Sequence, residues 1–262
     1  MTTPPTTAPR TLRVAGFTAT GLLALPLVVL LTRAPWTSMA RRLGEREVLE
    51  SLAVSLTVSL SATVVAVMIG FPLAWALARD TLPAGQLIRS VVLIPMVLPP
   101  VVAGTALLFA FGRNTPLGRL LDTWFGISLP FTTAGATIAA AFVALPFFVT
   151  TVEAALRQHG TGLEEAAATC RTGPLAAVWL VTLPAIRPAL LAGTALTWAR
   201  ALGEFGATLT FAGSVGGRTR TLPLQTFVAL ERDPETALAI SVLLLGVSLV
   251  MLTALRNRIT LR

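Results

Sequence analysis

Long apolar runs alternate with short polar stretches along nearly the whole chain. Six runs reach the length of about 20 residues that an α-helix needs to cross about 30 Å of hydrocarbon. They are residues 13–33, 52–79, 88–112, 132–156, 188–212 and 236–256. β-Barrel strands would alternate apolar and polar positions instead, and backbone groups in lipid need partners within their own segment. The pattern therefore predicts an all-α membrane protein with six transmembrane helices.

The two ends of the chain differ from the runs between them. Residues 1–12 are rich in Pro and Thr and are predicted to form a disordered tail. The run at 13–33 resembles a signal peptide in position, but it is long and has no evident small-residue cleavage site. We therefore interpret it as a retained first transmembrane helix. Residues 257–262 are predicted to form a short tail after the last helix.

Composition supports lipid as the solvent of this chain. Of its 262 residues 54% are hydrophobic and 12% charged, and its mean hydropathy is +0.78. Soluble domains carry about twice that share of charge. The net charge is +8, and all 20 basic residues are arginines scattered through the connecting segments. Because they form no basic stripe, nucleic acid is not a predicted partner; membrane lipid and an anionic solute are.

The chain lacks the residues of the common catalytic sites. It contains no lysine, so it cannot contain the Gly-Lys-Ser/Thr end of a nucleotide-binding P-loop. His159 is its single histidine and Cys170 its single cysteine, which excludes a His-rich zinc site and an intrachain disulfide. We predict a non-enzymatic chain that binds no metal or cofactor, so energy must come from a partner or an ion gradient.

One polar insert, LEEAAATCRTGPLAAVWLVTLP at residues 163–184, separates the fourth and fifth runs. Glu164 and Glu165 fall in a first helical turn, where the helix dipole favours acids, and Thr161 stands at capping-box spacing from Glu164. An alanine run follows, and Gly173 and Pro174 form the turn into a second apolar helix that Pro184 would end. The pattern predicts a helix-turn-helix outside the lipid that docks on another protein. An ordinary amphipathic connector is the alternative.

The insert resembles the EAA loop of the integral-membrane subunits of ABC importers. The resemblance lies in Glu165-Ala166-Ala167 and in Val181-Thr182-Leu183-Pro184. The glycine of that family falls on Arg171, while a glycine follows at Gly173, so the turn is expected to be shifted or supported differently. The resemblance implies a type I importer permease fold in which the loop, about residues 157–187, lies in the cytoplasm and couples to an ATPase. It also implies a cytoplasmic N-terminus. The arginine count does not decide this orientation, because ten arginines lie on one predicted side of the membrane and nine on the other. The residues implied in coupling are Glu164, Glu165, Ala166, Ala167, Arg171, Gly173, Leu183 and Pro184.

A narrower resemblance covers most of residues 50–255, within a predicted permease domain at residues 50–256. LIPMVLPPVVAGTALLFAFGRNTPLG and GEFGATLTFAG followed by TRTLPL are similar to the molybdate permease subunit and its sulfate and tungstate relatives. This implies the pore-forming subunit of an oxyanion importer in a prokaryotic cell membrane, with molybdate as the expected substrate and sulfate or tungstate as alternatives. The implied partners are a second copy of the chain, ATPase subunits that hold ATP and magnesium, and an extracytoplasmic oxyanion-binding protein.

Two charges interrupt the fifth run. Arg200 and Glu204 are spaced i, i+4 and can pair on one helix face, and charges in the membrane should face protein or water. Either the pair stabilises helix packing, or Arg200 attracts the anion along a pathway that Thr208 and Thr210 also face. A third interpretation makes Glu204 the coupling carboxylate of a gradient-driven secondary transporter. Glu153, at the end of the fourth run, is predicted to be a solvated helix end.

Overall fold

The computed structural model describes residues 10–259, and only the backbone of Leu163 and of residues 255–259. Its regular structure is helical throughout that range, which confirms the all-α prediction. The first seven helices are α1 (Arg10–Arg33), α2 (Met39–Leu43), α3 (Arg46–Ala78), α4 (Gly85–Val97), α5 (Pro100–Phe111), α6 (Pro116–Phe125) and α7 (Thr133–His159). The others are α8 (Gly162–Thr169), α9 (Pro174–Ala177), a π-helix (Val178–Thr182), α10 (Leu183–Ala185), α11 (Arg187–Leu202), α12 (Gly206–Ala212), α13 (Leu222–Arg232) and α14 (Pro234–Ile259).

Four helices of the described chain are long and apolar enough to cross a membrane: α1, α3, α7 and α14. Two bent pairs raise the number to six if each counts as one span. The axes of α4 and α5 meet at 116°, and those of the segment Pro174–Ala185 and α11 at 78°. The predicted span 88–112 is therefore not one straight helix. It breaks at Leu98 and Pro99, because a residue before proline is held in extended conformation and proline donates no backbone hydrogen bond.

The predicted span 188–212 is also interrupted. α11 ends at Leu202 and α12 begins at Gly206, so residues 203–205 are not helical. The two broken spans meet near their breaks. A Cβ on Gly206 would lie 2.8 Å from the Cβ of Pro100, and one on Gly104 would lie 2.7 Å from the carbonyl oxygen of Ala207. Only glycine allows α5 and α12 to approach this closely.

α7 is the central helix of the bundle. Of the apolar window in each span, 61% is buried inside the chain for α7, 39% for α3, 17% for α14 and none for α1. α3 packs along α7 through alanines and valines, and a Cβ on Gly70 would lie 2.8 Å from the ring of Phe148. Small residues let apolar helices approach closely in lipid, so the α3–α7 pair forms the rigid core on which the other segments pack.

The ends of the chain differ from the prediction in part. α1 begins at Arg10, so residues 10–12 are helical rather than part of a tail. The rest of that predicted tail, residues 1–9, lies outside the described residues. α14 continues to Ile259, so residues 257–259 are helical, and residues 260–262 lie outside the description.

The bundle has two ends, which we call the loop face and the opposite face. The loop face holds the end of α3, the start of α4, the end of α7 and the segment α8–α10. The opposite face holds α2, α6 and the connection from α12 to α13. There Arg42 forms ion pairs with Asp233 and Glu235, which join α2 to the start of α14.

Candidate functional site

The turn of the 157–187 loop lies at Arg171. Its backbone has φ 59°, in the left-handed region that favours glycine. The N–H of Arg171 donates to the carbonyl of Ala168 at 3.0 Å, and that of Thr172 to the carbonyl of Ala167 at 3.2 Å. This pair of bonds is a Schellman motif with Arg171 at the position where glycine is commonest. Of the two alternatives expected for this turn, the shift does not occur, since Gly173 has ordinary φ −62° and ψ 154° and precedes α9. The turn stays at Arg171 and is supported differently, by an arginine in the left-handed conformation.

α8 presents two different faces. Glu164 and Ala167, three residues apart, point into the chain, and Ala167 is 8% exposed. Glu165, Ala166 and Thr169 are exposed on the other face. The adjacent acids therefore have different surroundings, and the exposed face offers one carboxylate next to a small, flat alanine surface.

Glu164 is bonded to two other elements of the chain. Its Oε1 accepts from Arg79 Nη2 at 2.6 Å and from Thr182 Oγ1 at 2.8 Å. The predicted capping box does not form, because Glu164 is held by these partners and the Thr161 hydroxyl donates to Glu165 instead. Hydrogen bonds with an ionised partner are about twice as strong as neutral ones, so this carboxylate fixes α8 against the π-helix and the end of α3.

The second helix of the loop is present and ends one residue later than predicted. α9, the π-helix and α10 follow without a break from Pro174 to Ala185. Pro184 therefore does not end the helix; it lies in α10, exposed, and Leu183 beside it is half-buried. The loop returns to the bundle at Ile186, which is 1% exposed and packs with Leu77 and Leu156.

A second ionic cluster lies beside the loop. Asp80 accepts from Arg89 at 2.9 Å and Arg157 at 3.0 Å, and Glu153 accepts from the same two arginines at 2.7 and 3.0 Å. The hydrogen bond from Arg89, and then that from Arg157, lowers the pKa of Asp80. The side chain of Glu153 is only 12% exposed, so the prediction of a solvated helix end is wrong. Sequence reasoning missed this cluster, although the i, i+4 spacing of Glu153 and Arg157 is a local signal for that pair; Asp80 and Arg89 have no such signal.

The intramembrane pair forms, although its helix is broken there. Arg200 Nη1 lies 2.6 Å from Glu204 Oε2, without hydrogen-bond geometry. Glu204 is 2% exposed, and its Oε1 accepts from the backbone N–H of Ala207 at 2.9 Å. Because Glu204 lies in the break between α11 and α12, its carboxylate accepts from a backbone N–H in the first turn of α12 that has no partner within the helix. These contacts support a packing role for Glu204.

The two threonines of the same segment have different surroundings. Thr208 is completely buried, and its hydroxyl has no partner among the described residues. Thr210 is half-buried and donates to the carbonyl of Gly206 at 2.8 Å. The structure thus places all four predicted pathway residues around one helix break, and their part in a pathway stays a prediction. Across residues 10–259 there is no group of three or more His, Cys, Asp or Glu placed to hold a metal ion.

Comparison with known proteins gives the family of the chain. Residues 66–259 match the family of binding-protein-dependent transport system inner membrane components. The chain belongs to this family. Its relatives include proteins named as transport system permeases. This chain is 42% identical to the molybdenum transport system permease protein ModB of Mycobacterium tuberculosis over 248 residues. The alignment covers 94% of this chain and 92% of the relative. The chain is 37% identical over 206 residues to ModB of Escherichia coli, covering 79% and 90%.

Sulfate permeases are also similar to this permease. It is 38% identical over 213 residues to the sulfate transport system permease protein CysW of Synechococcus elongatus, covering 81% of this chain and 74% of the relative. The relatives are transport permeases, and this chain is likewise a membrane transport subunit rather than an enzyme.

Solved structures show the same fold. The permease matches a chain from a bacterial ABC transporter that imports the acidic polysaccharide alginate, with a TM-score of 0.70 and 15% identity over 96% of both chains. It matches a chain of the MetNI methionine ABC transporter with a TM-score of 0.57 and 19% identity, covering 88% of this chain and 95% of the other. The chain therefore has the fold of an ABC importer permease, as the sequence predicted.

Proposed function

We propose that this permease forms the membrane pathway of an ATP-driven importer for a tetrahedral oxyanion, and that the oxyanion is molybdate. The observation that carries the proposal is the 42% identity to a molybdenum permease along 94% of the chain. Sulfate and tungstate are the competing substrates. Uptake of labelled molybdate by the reconstituted complex, challenged with excess tungstate or sulfate, tests the assignment. Full competition by sulfate with no preference for molybdate would refute it.

The proposed energy source is a pair of ATPase subunits that hold ATP and magnesium and dock on the exposed face of α8. That face is the small surface around Ala166 with Glu165 beside it. An Ala166→Arg variant places a bulky charge there and should abolish ATP-driven uptake, while the chain still inserts in the membrane. Gln86→Arg is the matched control, because Gln86 is exposed on the same face of the bundle but outside the loop. Normal uptake by Ala166→Arg would contradict docking at this surface.

Docking on an ATPase requires the loop face to be cytoplasmic, which also places the N-terminus inside. Cys170 tests this orientation, because it is the only cysteine of the sequence and is exposed at the end of α8. A membrane-impermeant maleimide should label it in inverted vesicles and not in intact cells. Labelling in intact cells would refute the proposed orientation.

The proposed complex contains two copies of the permease and an oxyanion-binding protein on the opposite face. Support for two copies comes from the small share of apolar helix surface that one copy buries, none of α1 and 17% of α14. Membrane lipid covers what the second copy leaves exposed. Two copies give two loops, one for each ATPase subunit, and a two-fold axis repeats every contact. Closure of the ATPase dimer would bring the two loops together and open the pathway outward.

The charge pair at Arg200 fits transport better than tight binding. A free guanidinium matches an oxyanion well, and a transport site must release its ion as readily as it binds it. Glu204, 2.6 Å from Arg200, offsets that positive charge. We propose that the pathway therefore attracts the anion only weakly, and that high affinity belongs to the binding protein.

A further inference from the structure

We propose that Arg79 is the positioning residue that ties α8 to the membrane helices, so that movement of the loop reaches α3 and α7. The inference rests on the proposed function, in which an ATPase subunit moves α8. Nothing in the sequence pattern of the loop points to Arg79, which precedes Glu164 by 85 residues. The assignment comes from contacts within the chain.

One guanidinium joins three elements. Arg79 directly follows α3, and its side chain is only 9% exposed. Its Nη2 donates to Glu164 of α8 at 2.6 Å, and its Nη1 to the carbonyl of Leu156 in α7 at 3.3 Å. The Glu164 carboxylate also accepts from Thr182 of the π-helix at 2.8 Å. A displacement of α8 therefore pulls on the two helices that form the core of the bundle.

The backbone connection between α7 and α8 is poorly suited to this task. It passes through Gly160, which has φ +64°, and α8 itself begins with a second glycine, Gly162. A Cβ at either position would meet no atom within 4 Å, so no packing stiffens this connection. Glycine is also the most flexible residue of the backbone. The connection acts as a hinge, and the side-chain bond between Arg79 and Glu164 is the direct link from α8 to α3 and α7, beside the indirect one through Thr182 and the π-helix.

The neighbouring residue offers a matched control. Asp80 lies on the same corner and is also ion-paired, but its partners Arg89 and Arg157 belong to α4 and α7 and not to α8 or the π-helix. An Asp80→Asn variant removes one carboxylate charge from the corner and leaves the bond to α8 intact. It separates a general loss of charge from the specific loss of the loop attachment.

Two measurements test the proposal. The first is hydrogen–deuterium exchange of the α8 amides in the solubilised chain, which needs no transport. Arg79→Gln and Glu164→Gln should each raise exchange about tenfold, and Asp80→Asn should leave it unchanged. The second is the amount of ATP hydrolysed per molybdate imported by the reconstituted complex. Arg79→Gln should raise this ratio about tenfold, within the usual range of coupling between sites, while the ATPase subunit stays bound.

A charge reversal protects the test against simple misfolding. Arg79→Glu combined with Glu164→Arg should restore α8 protection and a near-normal ratio, whereas each single reversal fails. The proposal is overturned if Arg79→Gln leaves hydrogen–deuterium exchange of the α8 amides unchanged. It is also overturned if exchange rises but the ATP hydrolysed per imported molybdate stays normal, or if the variant loses the bound ATPase subunit. If the unmodified complex hydrolyses ATP without importing any oxyanion, the proposed function fails, while the exchange result still decides whether Arg79 holds α8.

Discussion

Replacing Arg171 by glycine should stabilise the turn of the loop. Arg171 is held at φ 59° by the two hydrogen bonds that close α8. The left-handed region costs an L-residue about 1–2 kcal/mol, and glycine avoids this cost. Glycine also has more conformational freedom to lose on folding, which costs about 0.5–1 kcal/mol. The midpoints of the two ranges favour Arg171→Gly by about 0.75 kcal/mol, which corresponds to about three- to fourfold less frequent local opening.

Hydrogen–deuterium exchange of the amides of Arg171 and Thr172 measures this opening directly, since both donate in the turn. Arg171→Ala is the essential control, because it removes the charge and keeps the unfavourable backbone conformation. Gly173→Ala is a second control: Gly173 has φ −62°, and a Cβ there would meet no atom within 4 Å, so alanine should be tolerated. Exchange at Thr172 in Arg171→Gly that is as fast as in Arg171→Ala would refute the reasoning.

Three further predictions concern the bundle. Gly104→Val should lower the unfolding free energy by about 1–3 kcal/mol, and with it the thermal midpoint, because its Cβ would lie 2.7 Å from an α12 carbonyl oxygen. Gly203→Ala is the control, since its Cβ would lie 3.5 Å from the nearest atom and should leave the midpoint unchanged. Equal midpoints for the two variants would contradict this prediction. Asp80 has a lowered pKa, so its stabilising effect should be complete above the ordinary value of 3.8 and disappear as pH falls further. The difference in thermal midpoint between the unmodified chain and Asp80→Asn should therefore shrink from pH 7 to about pH 3. A difference that stays constant over this range would show that ionised Asp80 does not stabilise the fold. Glu204→Gln should lower the midpoint by leaving Arg200 without its counter-charge; adding Arg200→Gln should recover part of the loss, and no recovery would argue against the pair.

Hydropathy and local chemistry alone predicted a large part of this fold. Apolar runs of membrane-spanning length can exist in lipid only as helices or closed barrels, so the all-α class followed from run length and the absence of alternation. The 157–187 loop was recognisable for a similar reason. Acids in a first turn, an alanine run and a Gly-Pro turn are local signals, and the helices they predicted are present at α8 and α9.

Tertiary structure alone decided where the spans break and which charges meet. Hydropathy averages over a window and does not register a two- or three-residue interruption, so it predicts continuous helix across the breaks at Leu98 and Gly203. The partner of Glu164 could not be predicted, because Arg79 lies 85 residues away and only the packing of α3 beside α7 brings it there. Glu153 likewise looked solvated until the fold placed Arg89 of α4 beside it, although its other partner, Arg157, is only four residues away on the same helix. Local sequence determines which segments are helical and apolar, whereas the pairing of buried charges depends on contacts that form only when distant helices pack.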